Sequence, residues 1–266
     1  MSAIITDQLR IVNSGNFVAG VASTSNSYYV WIGLPNATEF DEDWNETPPA
    51  PKDSFSEETD YWDTMIGLKR INAADVTRVV RKLDWTSGTT YEMYRNDYSR
   101  SNVSPVTSST NLYDANYYVM NSDYRVYACL QNGTDPENPD GRPSLDQPLF
   151  TDLEPRSAGG SGDGYIWKYL FTIKPNELIK FDSTSFIPVP NNWETLTDVA
   201  AVRNNAATSG QLKIVTIKNR GVGYGTATTY NNVPIKGDGE GATCSVVVNA
   251  AGKINSVEVT NGGSDY

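Results

Sequence analysis

Tyr165, Trp167, Tyr169, Phe171 and Ile173 occupy every second position of one short stretch. A period of two places such residues on one face of an extended strand. That face carries four aromatic rings, each able to bury roughly 150–250 Å², so it is stable only against a second layer. The turn Gly162-Asp163-Gly164 leads into the strand and Lys174-Pro175-Asn176 ends it. The chain must therefore build at least one sheet packed on something else, with this row of side chains expected to point together into a core.

A second constraint lies after residue 200, where aromatics become scarce. Val215, Ile217, Asn219, Gly221 and Tyr224 return as Val257, Val259, Asn261, Gly263 and Tyr266, at a constant offset of 42 residues. Each copy reads as an alternating strand that enters an Asn-x-Gly turn and closes on tyrosine, a repeated β-hairpin unit. An open repeat leaves an apolar face and a strand edge uncovered. The expectation is that the natural protein continues past Tyr266; the alternative is that residues 254–266 pair back onto the first copy.

The remaining segments are mixed. Ile5, Leu9 and Val12 form a helical stripe that Asn13 to Gly15 end or bend, with Phe17, Val18 and Val21 beyond. Tyr28 to Ile32 is apolar on both faces and reads as a buried strand closed by Gly33 and Pro35. Residues 35–53 read as an acidic, proline-rich loop. Ser54 and Glu57 fit a capping box opening a helix through Tyr61, Trp62, Met65 and Ile66, with Gly67 near its end. Val76 to Trp85 reads as a strand, and 86–111 as loops with short strands. Tyr117–Met120 and Tyr124–Leu130 form a hairpin around Asn121-Ser122-Asp123. Residues 131–163 make a long polar loop, a length that marks a functional segment or an interface arm.

Composition narrows the function. There is no histidine, which excludes Ser-His-Asp and Cys-His catalysis and removes the commonest ligand of zinc and non-haem iron. Cys129 and Cys244 are far apart in sequence and read as free thiols. The net charge of -11 repels phosphate backbones, so no nucleic-acid partner is expected. No apolar run reaches the length of a membrane span, and the N-terminus has no signal-peptide pattern, so no membrane partner is expected.

Candidate chemistry is thin. Asp135, Glu137 and Asp140 superficially resemble a calcium loop, but Pro139 and Asp140 fall where an EF-hand needs a ligand and a glycine. Gly237 to Gly241 reads as a hairpin turn. Gly159, Gly160, Gly162 and Gly164 precede a strand, whereas phosphate cradles precede a helix. Two carboxylates suffice for a glycosidase, yet nothing in the sequence selects a pair. No catalytic, cofactor-binding or metal-binding residue is assigned, no cofactor is expected, and the chain reads as a non-enzyme.

The stretch Gly162-Asp163-Gly164-Tyr165-Ile166-Trp167-Lys168-Tyr169-Leu170-Phe171-Thr172-Ile173 resembles the baseplate wedge subunit, gene product eight, of T-even-type contractile-tailed phages. So do Tyr61-Trp62-Asp63-Thr64-Met65-Ile66-Gly67 with Arg81-Lys82-Leu83-Asp84-Trp85, the stretch Pro48 to Ser54, Val126 to Leu130, and Ile187 to Pro190. These matches are collinear over about residues 28–193. The resemblance implies a mainly β (α+β) multi-domain protein of antiparallel sheets with a few short helices. It also implies a virion tail location, a homodimer, other baseplate wedge proteins as partners, and no catalytic residues. The expected domains are 1–110 (helix plus sheet), 111–200 (β, with the long polar loop) and 201–266 (a glycine-rich β-repeat module, incomplete as it stands). The expected function is a structural subunit linking wedge proteins during tail assembly and host attachment. The alternative is a tail-associated receptor- or glycan-binding protein, suggested by tyrosine-rich loops and the glycine-rich repeat.

Overall fold

A computed structural model describes residues 7–33, 65–94, 116–190, 197–206 and 208–266. The fold is mainly β, with antiparallel strand pairs and short helices, as expected. Contacts divide the chain into two compact units, Met1–Thr77 and Arg78–Tyr266.

In the first unit, helix α1 (Asp7–Ala22) precedes the antiparallel ribbon of β1 (Tyr28–Gly33) and β2 (Met65–Ile71). The helix continues through Asn13 to Gly15, so it does not end there. Glycine inside a helix costs about 1 kcal/mol relative to alanine, and packing on β1 offsets it. Phe17 meets the Tyr28 ring edge-on at 5.8 Å, and Gly20 leaves room for the Tyr28 hydroxyl, which an added Cβ would approach to 2.9 Å. Met65, Ile66 and Gly67 lie in β2, which corrects their placement at a helix end. The expected 35–53 loop, most of the 54–67 helix, and residues 95–111 fall outside the described residues.

The second unit is organised by the sheet β4 (Tyr118–Met120), β5 (Arg125–Asn132) and β6 (Tyr165–Thr172), in the order β4-β5-β6. The β4–β5 hairpin around Asn121 is as expected, with the Asn121 side-chain oxygen accepting from the Asp123 and Arg125 amides. The aromatic row of β6 is buried but does not stay on one face. Tyr169 pairs with Tyr127 and Phe171 with Val126, so Leu170 is the extra residue of a bulge. Tyr127 and Val126 are adjacent and face opposite ways, and cross-strand partners share a face. Tyr165 and Trp167 therefore pack with Val119, Tyr127, Cys129 and Tyr91 on one side. Phe171 and Ile173 pack with Met120, Val126, Ile187 and Val199 on the other.

The two faces are covered differently. The long 131–163 segment, with Trp85 and Tyr91, lies over the first face as a layer rather than projecting as an arm. The Tyr127 hydroxyl donates to the Phe150 carbonyl (2.6 Å), Tyr165 to that of Arg142 (2.6 Å), and the Trp85 indole to Ser144 Oγ (3.0 Å). The second face is closed by α2 (Pro175–Phe181), α3 (Thr197–Ala206), and the pair β3 (Val79–Arg81) and β7 (Phe186–Pro188). The strand expected over Val76–Trp85 is thus shorter, and a 3₁₀ turn at Ala73–Asp75, capped by Asn72, precedes it.

At the C-terminal end, β8 (Thr229–Pro234), β9 (Thr243–Val248) and β10 (Ile254–Asn261) form a sheet ordered β10-β9-β8, and Gly237–Gly241 make the expected turn between β8 and β9. The second repeat copy is strand β10, whereas the first, residues 212–220, is not a regular strand. It runs antiparallel along β10, bonded at both ends. Leu212 N–H donates to Gly262 (2.9 Å), and Ile254 N–H to Arg220 (3.0 Å). Tyr224 N–H donates to Gly252 (3.1 Å) and Tyr266 N–H to Gly210 (3.1 Å). Each bond maps onto its partner by the 42-residue offset, so the copies clasp each other about a local twofold. Residues 254–266 thus pair back onto the first copy. The apolar side of β10 packs with Ile217, Cys244 and Val215.

Candidate functional site

The acidic loop at Asp135 folds into a structural anchor. Asp135 is buried, and one carboxylate oxygen accepts from the amides of Glu137 (3.0 Å) and Asn138 (2.7 Å) and from the Asn138 side chain (2.9 Å). Its other oxygen pairs with Arg142, with Arg220 at 3.8 Å. Burial alone would raise this carboxyl, but bonds from Asn138 and Arg142 outweigh it and hold it at about 2. Glu137 points away to Lys253 (2.8 Å), and Asp140 offers its backbone carbonyl to Asn132 (3.1 Å). The structure thus does not gather the three carboxyl groups on one centre.

A cleft of about 350 Å³ opens between residues 156–164 and β10. Its wall includes Ser157, Gly159, Gly162, Asp163, Asn255 and Glu258. Both carboxylates are engaged: Glu258 accepts from the Ser157 amide (2.9 Å) and hydroxyl, and Asp163 from the amides of Leu145 (2.9 Å) and Tyr165 (3.0 Å). Gly164 takes φ +83°, and an added Cβ would lie 3.0 Å from the Arg220 guanidinium, so glycine there admits Arg220 and the Asn255 carbonyl. As the sequence pattern indicated, these glycines lead into strand β6 and shape packing. Cys129 and Cys244 are free and buried, and burial pushes the thiol of Cys129 well up, and that of Cys244 up as well, leaving weak nucleophiles.

The surface best suited to binding is the β1–β2 ribbon. Tyr29, Trp31 and Leu68 share one face by register, and Val30 and Ile32 the other. They are 56%, 41%, 58%, 51% and 62% exposed, and Ile66 is 66% exposed. The expectation of a buried strand is corrected: the strand forms, but among the described residues Tyr29 to Ile32 are exposed. An isolated two-stranded ribbon is marginal in water, and large exposed apolar patches mark contact surfaces. Lys69 lies opposite Val30 and Arg70 opposite Tyr29, one on each face, and Lys69 pairs with Asp75 (2.8 Å).

Arg220 was not legible as a key residue, although one signal was available. It stands where the second copy of the repeat has Gly262, the point at which the two copies differ most in chemistry. No helix among the described residues is long and apolar enough to cross a membrane.

The comparison with known proteins agrees with the motif resemblance. The baseplate wedge protein gp8 of Enterobacteria phage T4 is 24% identical over 211 residues, covering 71% of this chain. The chain spans 60% of that relative's length. Residues 3–155, more than half of the chain, match the family described as Bacteriophage T4 Gp8, and the chain belongs to that family.

Proposed function

We propose that this chain is a structural subunit of the baseplate wedge of a contractile-tailed phage, a virion component that links other wedge proteins during tail assembly and host attachment. It works by presenting surfaces rather than by turning over a substrate. Family membership supports the wedge role, and the observation that carries the linking role is the β1–β2 ribbon, apolar and exposed on both faces. Covering it would remove several large side chains from water at about 25 cal/mol per Å² of apolar surface. A homodimer using one patch on both copies is the simplest self-assembly, with other wedge proteins as further partners.

The test is light scattering of purified protein, alone and mixed with the other baseplate proteins of its phage. Wild type should run as a species larger than 29.2 kDa and enter a mixed complex. Ile32→Asp, with its side chain already exposed, should keep the thermal stability of the second unit while losing these associations. A monomer that captures no baseplate protein would defeat the proposal, and binding to host-surface glycans instead would favour a receptor-binding role.

A further inference from the structure

The three apolar clusters respect a boundary. The first two draw all their members from residues 80–199, and the third all of its members from 215–257. Among the described residues, ion pairs and hydrogen bonds join the C-terminal body to the 131–163 layer that covers the β4–β5–β6 sheet. Lys213 pairs with Glu154 (2.8 Å), Lys253 with Glu137 (2.8 Å), and Glu258 with Ser157. Arg220, 2% exposed, sits at the centre, donating to the Ile254 carbonyl of its own body (3.0 Å) and to the Thr134 carbonyl across the seam (3.4 Å). The 350 Å³ cleft lies along the same seam. The C-terminal body meanwhile closes its own backbone, the two repeat copies exchanging four amide–carbonyl bonds.

We infer that residues 210–266 are a clasped rigid body held to the sheet by an electrostatic latch, able to swing away with both apolar cores intact. Moving an apolar interface exposes core to water, whereas a polar seam exchanges protein hydrogen bonds for water, and relative motion is the default for boundaries of this kind. The cleft is where such a swing opens, and its walls, Ser157 and Glu258, separate first.

Amide exchange followed by NMR on the full chain tests this. The Ser157 amide reports the latch because its acceptor is Glu258 across the seam. The Trp167 amide, bonded to the Arg156 carbonyl, and the Val248 amide, bonded to that of Thr228, report the two bodies. In the double variant Lys213→Met/Lys253→Met, Ser157 should exchange roughly two- to thirtyfold faster, the sum expected for two surface pairs. Trp167 and Val248 should stay within about twofold of wild type on the same scale. Raising salt to about 1 M, where the screening length falls to about 3 Å, should accelerate Ser157 alone in the wild type. If Ser157, Trp167 and Val248 accelerate together, the bodies are one cooperative unit and the latch is wrong. If Ser157 does not respond to either change, the seam is not held electrostatically and the inference falls.

Discussion

Trp167→Ala probes the two-faced sheet most severely. The side chain is fully buried, stacked on Tyr165 with ring centroids 5.3 Å apart and edge-on to Tyr91 at 5.8 Å. Truncation removes this burial and leaves a cavity walled by two aromatic rings, Cys129 and Val119, a cost of about 3–5 kcal/mol. In a unit of this size each kcal/mol lowers the melting temperature by about 2–4 °C, so a fall of about 6–20 °C is expected. The indole N–H has no hydrogen-bond partner among the described residues. Trp167→Phe therefore loses ring volume but no hydrogen bond, and should cost well under half as much. Thermal melts followed by near-UV circular dichroism read both variants. A Trp167→Ala melt within about 3 °C of wild type would show that the row is unpacked. Equal losses for alanine and phenylalanine would show that the indole N–H is bonded after all.

Further outcomes follow from the same geometry. Phe171→Ala should cost about 3–5 kcal/mol by opening the second face, whereas Tyr169→Ala, only half-buried, should cost clearly less in the same melts. Asp135 is held at about 2 against its ordinary 3.8; a depressed carboxyl contributes stability above its unfolded value and loses it as pH falls through the folded one. Wild type should thus lose about 2 kcal/mol between pH 5 and pH 2 relative to Asp135→Asn, read from urea midpoints at each pH. Gly263 has φ +68°, and an added Cβ would fall 2.5 Å from the Glu240 carbonyl, while Gly241 has φ +78° with open space around it. Gly263→Ala should then destabilise the C-terminal body by about 2 kcal/mol or more and Gly241→Ala by about 1 kcal/mol, compared by protease resistance at rising temperature.

Much of the fold was legible because local pattern and tertiary outcome agree. Alternation identified β6, and the turn at Asn121 the β4–β5 hairpin. What alternation cannot show is the bulge at Leu170, since it depends on β5 pairing across it, and so the switch of Phe171 to the second face was missed. α1 outlasted its breakers because Phe17 and Gly20 pack on Tyr28, a contact invisible to helix propensity. Met65 to Gly67 carry helical spacing, yet antiparallel pairing with Ile32 and Gly33 captured them as a strand. The 42-residue repeat was plain in the sequence, but its clasp was not: offset reveals similarity, not which copy bonds which. The motif at 162–173 lies beyond the family match at 3–155, whereas the motifs at 48–54, 61–67, 81–85 and 126–130 fall inside it. The exposure of the β1–β2 ribbon was hidden for a simple reason. Tyr28 to Ile32 has the composition of a core strand, and composition does not say whether the covering layer belongs to the same chain.

Cross-linking mass spectrometry of intact, purified phage tails asks whether this chain is a wedge subunit engaged through its β1–β2 ribbon. Lys69 lies within the ribbon, its side chain 69% exposed, and is the reporting group. A wedge subunit so engaged is present in the tails, with Lys69 cross-linked to another baseplate protein or to a second copy of itself. Tails that lack the chain, or that contain it with Lys69 linked only within its own protomer, would refute engagement through the ribbon.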